Sequence, residues 1–383
     1  MWRKLGWMAM LVLLVGCSGK NRRVPLGATP LSVQPAVVDP IPSHAPTVQT
    51  QEPVPSLPVV QEPAPPALTP APSPSRPSVT AAPPVARGAT NSFLSAIVWT
   101  STNGLGATPL TLLAGGFGWS MPHGRLELKP GAPAARWDGV GVLLGMPPRL
   151  TFRGEFQVGS VDLNKLCAPL LSPSFARPQT GQIVVVDPGH GGRSSGTRSI
   201  IDGRLEKEFT LDWALRLSRL LTQKGWQVVL TRTNDVDVPV LDRVAMADAC
   251  RADVFVSLHF NAETTQTQSG VETYCLPPLG MASQLVRDGP DTPNVLYPNN
   301  AFDDENARLA MRVHHALVRG AGVADRGVRR ARYPGVLRTQ NRPSILVEGG
   351  YLSHRIEALA ISRPEYRQKL AEAVASAFES RPR

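Results

Sequence analysis

Short apolar runs, each stopped by a polar residue, recur through roughly the last two hundred residues of the chain. Ile183-Val184-Val185-Val186 ends at Asp187-Pro188, Val254-Phe255-Val256-Ser257-Leu258 ends at His259, and Ile345-Leu346-Val347 ends at Glu348. Runs that are apolar at successive positions bury both faces, which is the signature of strands inside a parallel sheet. Helical periods lie between them. Phe209, Trp213, Leu217 and Leu220 recur at helix spacing over about Glu206 to Lys224, and Gly225 closes that helix. Val240–Arg251, Glu305–Arg319 and Glu365–Ser380 read as further helices, Trp226–Arg232 as a strand, Gly270–Leu276 as an edge strand and Pro277–Asp304 as a loop. The alternation predicts an α/β fold for residues 180–383, a mostly parallel sheet with helices on both faces.

Upstream the pattern changes twice. Gly124-Arg125-Leu126-Glu127-Leu128-Lys129 alternates like a half-buried strand, and Trp137 to Leu144 suggests a turn into another. Residues 91–175 are therefore expected to form a small β-rich accessory domain. Its arrangement resembles the copper-amine-oxidase-like module that precedes some cell-wall hydrolases, although it has no metal-ligand spacing. Residues 18–90 are dense in proline, as in Pro63-Ala64-Pro65-Pro66 and Pro70-Ala71-Pro72-Ser73-Pro74, and favour an extended linker without a core. At about 3.1 Å per residue such a tether would reach well over 100 Å when fully extended.

The first residues set the compartment. Arg3 and Lys4 precede an apolar run from Leu5 to Gly16, too short to span a bilayer comfortably, so residues 1–17 read as a secretory signal. Leu14-Val15-Gly16-Cys17 resembles a bacterial lipoprotein box, which implies lipidation of Cys17 and attachment to a membrane. The expected location is the cell envelope, on the periplasmic side, with Ser18 resembling an outer-membrane sorting residue. The remaining cysteines, Cys167, Cys250 and Cys275, have neither zinc-clip nor redox spacing and are expected as small buried hydrophobes. A net charge of +10 implies attraction to anionic surfaces. Sparse aromatics and the absence of a nucleic-acid-binding pattern exclude nucleic acid as partner.

The polar residues at the strand ends carry the chemistry. His190 follows the first strand within Gly189-His190-Gly191-Gly192, His259 ends the strand from Val254, and Glu348 ends the strand from Ser344. Ligands of open α/β sheets bind outside the carboxyl ends of the strands, so these three residues are delivered to one edge. Glu206 stands at the expected helix start, where a carboxylate also suits the helix dipole. Two histidines and a carboxylate are a ligand set for catalytic zinc with a fourth position open. A further unligated glutamate would serve as general base and acid.

Val185 to Gly192 resembles the opening motif of the zinc-dependent N-acetylmuramoyl-L-alanine amidases of the amidase-3 family. Gly203–Glu208, Ser257–Ala262 and Leu346–Ser353 are similar to its later motifs, in the same order. The resemblance implies His190, Glu206 and His259 as Zn2+ ligands, Glu348 as the catalytic carboxylate and peptidoglycan as substrate. Phe260, where a small residue is usual, and His354, where Asn is usual, depart from the pattern. Some members carry an inserted helix that an activator protein displaces; Pro277–Asp304 is too short and too rich in Pro, Gly and Asp for that. It is expected instead to leave room for a gating loop to which Asp303, Asp304 and Glu305 contribute. Two rival readings remain at this stage: a zinc peptidase acting within the stem peptide, and a catalytically silent peptidoglycan-binding scaffold.

Overall fold

The structure is a computed structural model that describes residues 91–176, 181–287, 289–333 and 335–379. The segment 1–17 expected as a signal, Cys17 and the proline-rich stretch 18–90 lie outside the described residues. Fourteen strands are described. In the first segment they are β1 (Phe93–Ser95), β2 (Thr108–Thr111), β3 (Phe117–Met121), β4 (Gly124–Leu128), β5 (Ala134–Trp137), β6 (Val140–Leu143), β7 (Arg149–Leu150) and β8 (Phe156–Gly159). The second segment holds β9 (Ile183–Pro188), β10 (Gln227–Leu230), β11 (Val254–Asn261), β12 (Val271–Cys275), β13 (Asp325–Arg330) and β14 (Ser344–Tyr351). Helix α1 (Ala96–Asn103) and the short turns α2 (Ser160–Asp162) and α3 (Ala168–Leu171) belong to the first segment. The second has α4 (Glu206–Gln223), α5 (Val240–Ala249), α6 (Asp303–Gly320), the single turn α7 (Gly335–Arg338), α8 (Arg355–Ser362) and α9 (Pro364–Ser376).

The centre of the sheet runs β10-β9-β11-β14, all parallel, so the three apolar strands of the sequence pattern lie side by side. Alternate residues feed two cores. Val184, Val186, Val256 and Val347 pack with the apolar faces of α4, α6 and α9. Val185, Phe255 and Leu346 pack on the other side with Val244 and Ala247 of α5 and with Val336 and Leu337 of α7. This explains the unbroken apolar runs, because each side of every central strand is covered by helix. The α/β class and the helices on both faces are as expected.

Two expectations are corrected. Gly270–Leu276 was expected at the edge, but β12 is interior, antiparallel to β14 and parallel to β13, and buried at every position. The covering strand β13 reads Asp-Arg-Gly-Val-Arg-Arg and carries no apolar run, so nothing in its hydrophobic pattern announces a strand. The second correction concerns the join between the segments. β13 pairs with β6 through Val328 and Val142, and β6 leads through β5, β4 and β3 to β2, giving one sheet of eleven strands. Trp99, Trp119 and Trp137 belong to the same apolar cluster as the helices α4, α6 and α9. Sheet and core therefore continue across the boundary expected near residues 175–180. Asp325 stitches this seam, accepting from the Gly141 N–H at 2.8 Å and lying 3.0 Å from His314 Nε2. Cys167 and Cys275 are buried thiols and Cys250 is partly buried; all three are free.

Candidate active site

The loop after β9 is held from below by a buried ion pair. Asp187 sits 1% exposed and 2.5 Å from an Arg243 nitrogen, and it accepts from Thr231 Oγ1 at 2.5 Å and Ser257 Oγ at 2.7 Å. Burial alone would raise its proton affinity; Arg243 and the two hydroxyls more than reverse that, so its carboxyl stays below the usual carboxylate range. Arg243 also donates to the Pro188 carbonyl at 2.9 Å and the His190 carbonyl at 2.8 Å. Its α5 helix thus clamps the turn that carries His190. His190 itself has φ 62°, a left-handed conformation that few non-glycine residues adopt and that such clamping must maintain.

Three side chains then converge. Glu206 Oε2 lies 3.1 Å from His190 Nε2, and Glu206 Oε1 lies 2.9 Å from His259 Nδ1. One potential ligand atom from each of the three falls within 4.8 Å of the others. The imidazole rings stand edge to face, centroids 4.9 Å apart. Two glycines make this approach feasible. A Cβ on Gly189 would stand 2.4 Å from His259 Nε2, and one on Gly196 would stand 2.5 Å from Glu206 Oε2. Any side chain at either position would push the cluster apart.

Glu206 is fixed by the backbone as well, accepting from the Thr197 N–H at 3.0 Å and the Phe260 N–H at 3.1 Å. Burial opposes its charge, but hydrogen bonds from the rings of His190 and His259 prevail and hold it well below the ordinary glutamate value. The helix-start reading of Glu206 is resolved by its neighbour. Glu208 accepts from the Leu205 N–H at 3.0 Å and supplies the capping contact, leaving Glu206 free to face inward.

Glu348 stands beside this cluster because the register of β11 and β14 pairs it with His259. It is 5% exposed, and its Oε2 has no hydrogen-bond partner among the described residues. Burial, and then repulsion from Glu206 and Glu272, push its proton affinity far above that of an ordinary carboxylate, with Arg287 acting weakly the other way. Glu272 faces it across the β12–β14 pair. That residue is saturated, accepting from Tyr274 Oη at 2.7 Å, Tyr351 Oη at 3.1 Å and Arg326 Nε at 2.7 Å. Of two buried glutamates side by side, only Glu348 retains an unengaged oxygen.

The donor set fits a divalent metal. Two imidazole nitrogens and an ionised carboxylate oxygen face one point, and an orphaned buried carboxylate adjoins it. All four line a cleft of about 640 Å³, together with Asp237, Val238 and Tyr333 among other residues. A family model for N-acetylmuramoyl-L-alanine amidase matches residues 184–380, just over half of the chain. The chain belongs to the amidase-3 family.

Relatives agree. The chain is similar to the N-acetylmuramoyl-L-alanine amidase LytC of Bacillus subtilis, 32% identical over 197 residues, which are 51% of this chain and 35% of LytC. It is similar to the amidase AmiC of Escherichia coli O6:H1, 28% identical over 257 residues, 61% of each. It also resembles the solved N-acetylmuramoyl-L-alanine amidase from Clostridium difficile 630, at 33% identity and a TM-score of 0.43, over 52% of this chain and 95% of that one. The chain spans little more than a third of LytC and under two thirds of AmiC.

The four residues expected from the sequence, His190, Glu206, His259 and Glu348, all line this one cleft. Three residues expected at a gating loop lie elsewhere. Asp303, Asp304 and Glu305 form the first turn of α6; Asp303 is buried beside Asn300 and Asp304 pairs with Lys165, so none of them lines the cleft. Phe260 lines the cleft, but it is 1% exposed and packs against Trp213 with ring centroids 5.3 Å apart, so this large side chain is anchored in the core. Arg287 and Tyr333, which do line the cleft, went unnoticed because neither occurs at a strand end.

Proposed function

We propose that this chain is a lipid-anchored zinc amidase that hydrolyses the amide between the lactyl group of N-acetylmuramic acid and L-alanine in peptidoglycan. The observation that carries the reading is the unengaged Oε2 of Glu348 beside the His190–Glu206–His259 cluster. A buried carboxylate without a partner is costly, and a proton-transfer role accounts for it.

His190, Glu206 and His259 would hold the ion, the softer imidazoles and one carboxylate suiting zinc better than magnesium or calcium. When bound, zinc supplies a Lewis acid for the scissile carbonyl and lowers the pKa of a coordinated water. Glu348 accepts a proton from the attacking water at Oε2 and delivers it to the departing alanine nitrogen. The lactyl carbon ends as a carboxylate and the stem peptide gains a free amino terminus. A cation held by His190, Glu206 and His259 would offset the burial and the repulsion from Glu206 that raise the proton affinity of Glu348, leaving its carboxylate able to accept a proton. Glu206, held ionised by two backbone N–H donors and two rings, would serve as a ligand and not as the base. Purified peptidoglycan should be solubilised by the protein, not by chelated protein, and again after zinc is restored. Solubilisation that survives chelation would refute the metal-dependent reading.

Attachment to a membrane rests on Leu14-Val15-Gly16-Cys17, and no described helix is long and apolar enough to cross a bilayer. Metabolic labelling with a fatty acid should mark the wild-type protein in the cell envelope and leave Cys17→Ala unlabelled and released or unprocessed. An unlabelled wild type would remove the lipoprotein claim.

A further inference from the structure

Among the described residues that line the catalytic cleft, the charged groups other than arginine are all acidic: Asp187, Glu206, Asp237 and Glu348. Away from the ion that His190, Glu206 and His259 would hold, a substrate carboxylate entering such a cleft would meet repulsion unless a further cation received it. Among the described residues, two arginines line it. Arg243 is fully engaged with Asp187 and with the carbonyls of Pro188, His190 and Val238. Arg287 makes no hydrogen bond or ion pair among the described residues. Its guanidinium carbon sits 4.7 Å from the centroid of the Tyr333 ring, a cation–π contact that aims the group without consuming any of its donors. The Tyr333 ring is itself braced edge-on against Tyr274, centroids 6.0 Å apart. Its hydroxyl likewise makes no hydrogen bond among the described residues, and burial, the first of its causes, raises its proton affinity.

A guanidinium and a phenol, both unengaged and both at the wall beside Glu348, are complementary to a planar anion. The substrate offers such an anion on one side of the cleaved bond only. The muramyl carboxyl is consumed in the scissile amide and the sugars are neutral, whereas the stem peptide carries free carboxylates beyond its alanine. We infer that Arg287, braced on Tyr333, and the Tyr333 hydroxyl form a subsite for a carboxylate of the stem peptide that departs with the alanine amine. This inference rests on the amidase reading above. The subsite makes the charge state of the peptide a determinant of specificity: amidation of that carboxylate removes the bidentate acceptor.

The test is kcat/KM on soluble muramyl tripeptides that carry free carboxylates, or an amide at the second residue, or an amide at the third. Arg287→Ala should lose about tenfold on the free-carboxylate substrate, the order expected for one charge-assisted contact at an exposed site. On one of the two amidated substrates its loss should be several-fold smaller than on the free-carboxylate substrate, and that substrate identifies the carboxylate bound. Arg287→Lys should recover part of the loss, and Tyr333→Phe should show a smaller, equally carboxylate-dependent loss. Zinc content and the thermal midpoint should be unchanged in Arg287→Ala, whose side chain is exposed. Equal losses on all three substrates, or no loss on the charged one, would overturn the subsite while leaving the amidase reading intact. Wild-type protein that cleaves none of the three would overturn the amidase reading and the subsite with it.

Discussion

Glu348→Gln should hold its metal and lose on the order of 10²–10⁴-fold in turnover, the usual contribution of a positioned acid or base. The change is nearly isosteric and removes only the ability to accept a proton. It should be well tolerated by the fold. Glu348 Oε2 has no partner among the described residues, so no hydrogen bond at that atom is broken. A neutral amide also relieves the repulsion from Glu206 and Glu272, the second and third causes of the raised proton affinity of Glu348 after burial itself. The variant should therefore melt no lower than wild type. Turnover and metal content measured on the same preparation decide the assignment. Full metal with near-normal turnover would exclude Glu348 as the base. Lost metal would make it a ligand and leave Glu206 as the candidate for proton transfer.

His190→Ala and His259→Ala should behave in the opposite way, losing metal and activity together. Each removes one of three donors and leaves the ionised Glu206 without one of the rings that face it at 3.1 Å and 2.9 Å. Activity should fall to that of chelated wild-type protein, and metal content to a small fraction of one ion per chain. The fold should survive both changes, because the two rings are only partly buried and neither belongs to the apolar clusters that hold the sheet. Chelation of the wild type followed by metal titration gives the reference curve. Retention of a full equivalent of metal by either alanine variant would remove that histidine from the ligand set.

Legibility in the sequence followed a physical division. His190, His259 and Glu348 could be read because each terminates an apolar run, and parallel strands place their carboxyl ends at one edge. Glu206 was ambiguous, since a carboxylate at a helix start has an ordinary electrostatic reason to be there. Only the structure shows that Glu208 does that work. What could not be read depends on contacts distant in sequence. β13 has no apolar run, and its Arg330 is 1% exposed, so the strand that encloses β12 and joins the two segments was invisible. Arg287 lies in a loop whose composition announces flexibility rather than a cleft wall. Gly189 and Gly196 each leave the space that a ligand side chain enters, which depends on residues distant in sequence.

The most direct measurement is the identity of the ends released from purified peptidoglycan. Digested material should show new alanine amino termini in equal number with muramic acid residues bearing a free lactyl carboxylate, and the Glu348→Gln protein should release neither. New amino termini on any residue other than alanine, with the muramyl–alanine bond intact, would make the chain a stem-peptide peptidase and contradict the account.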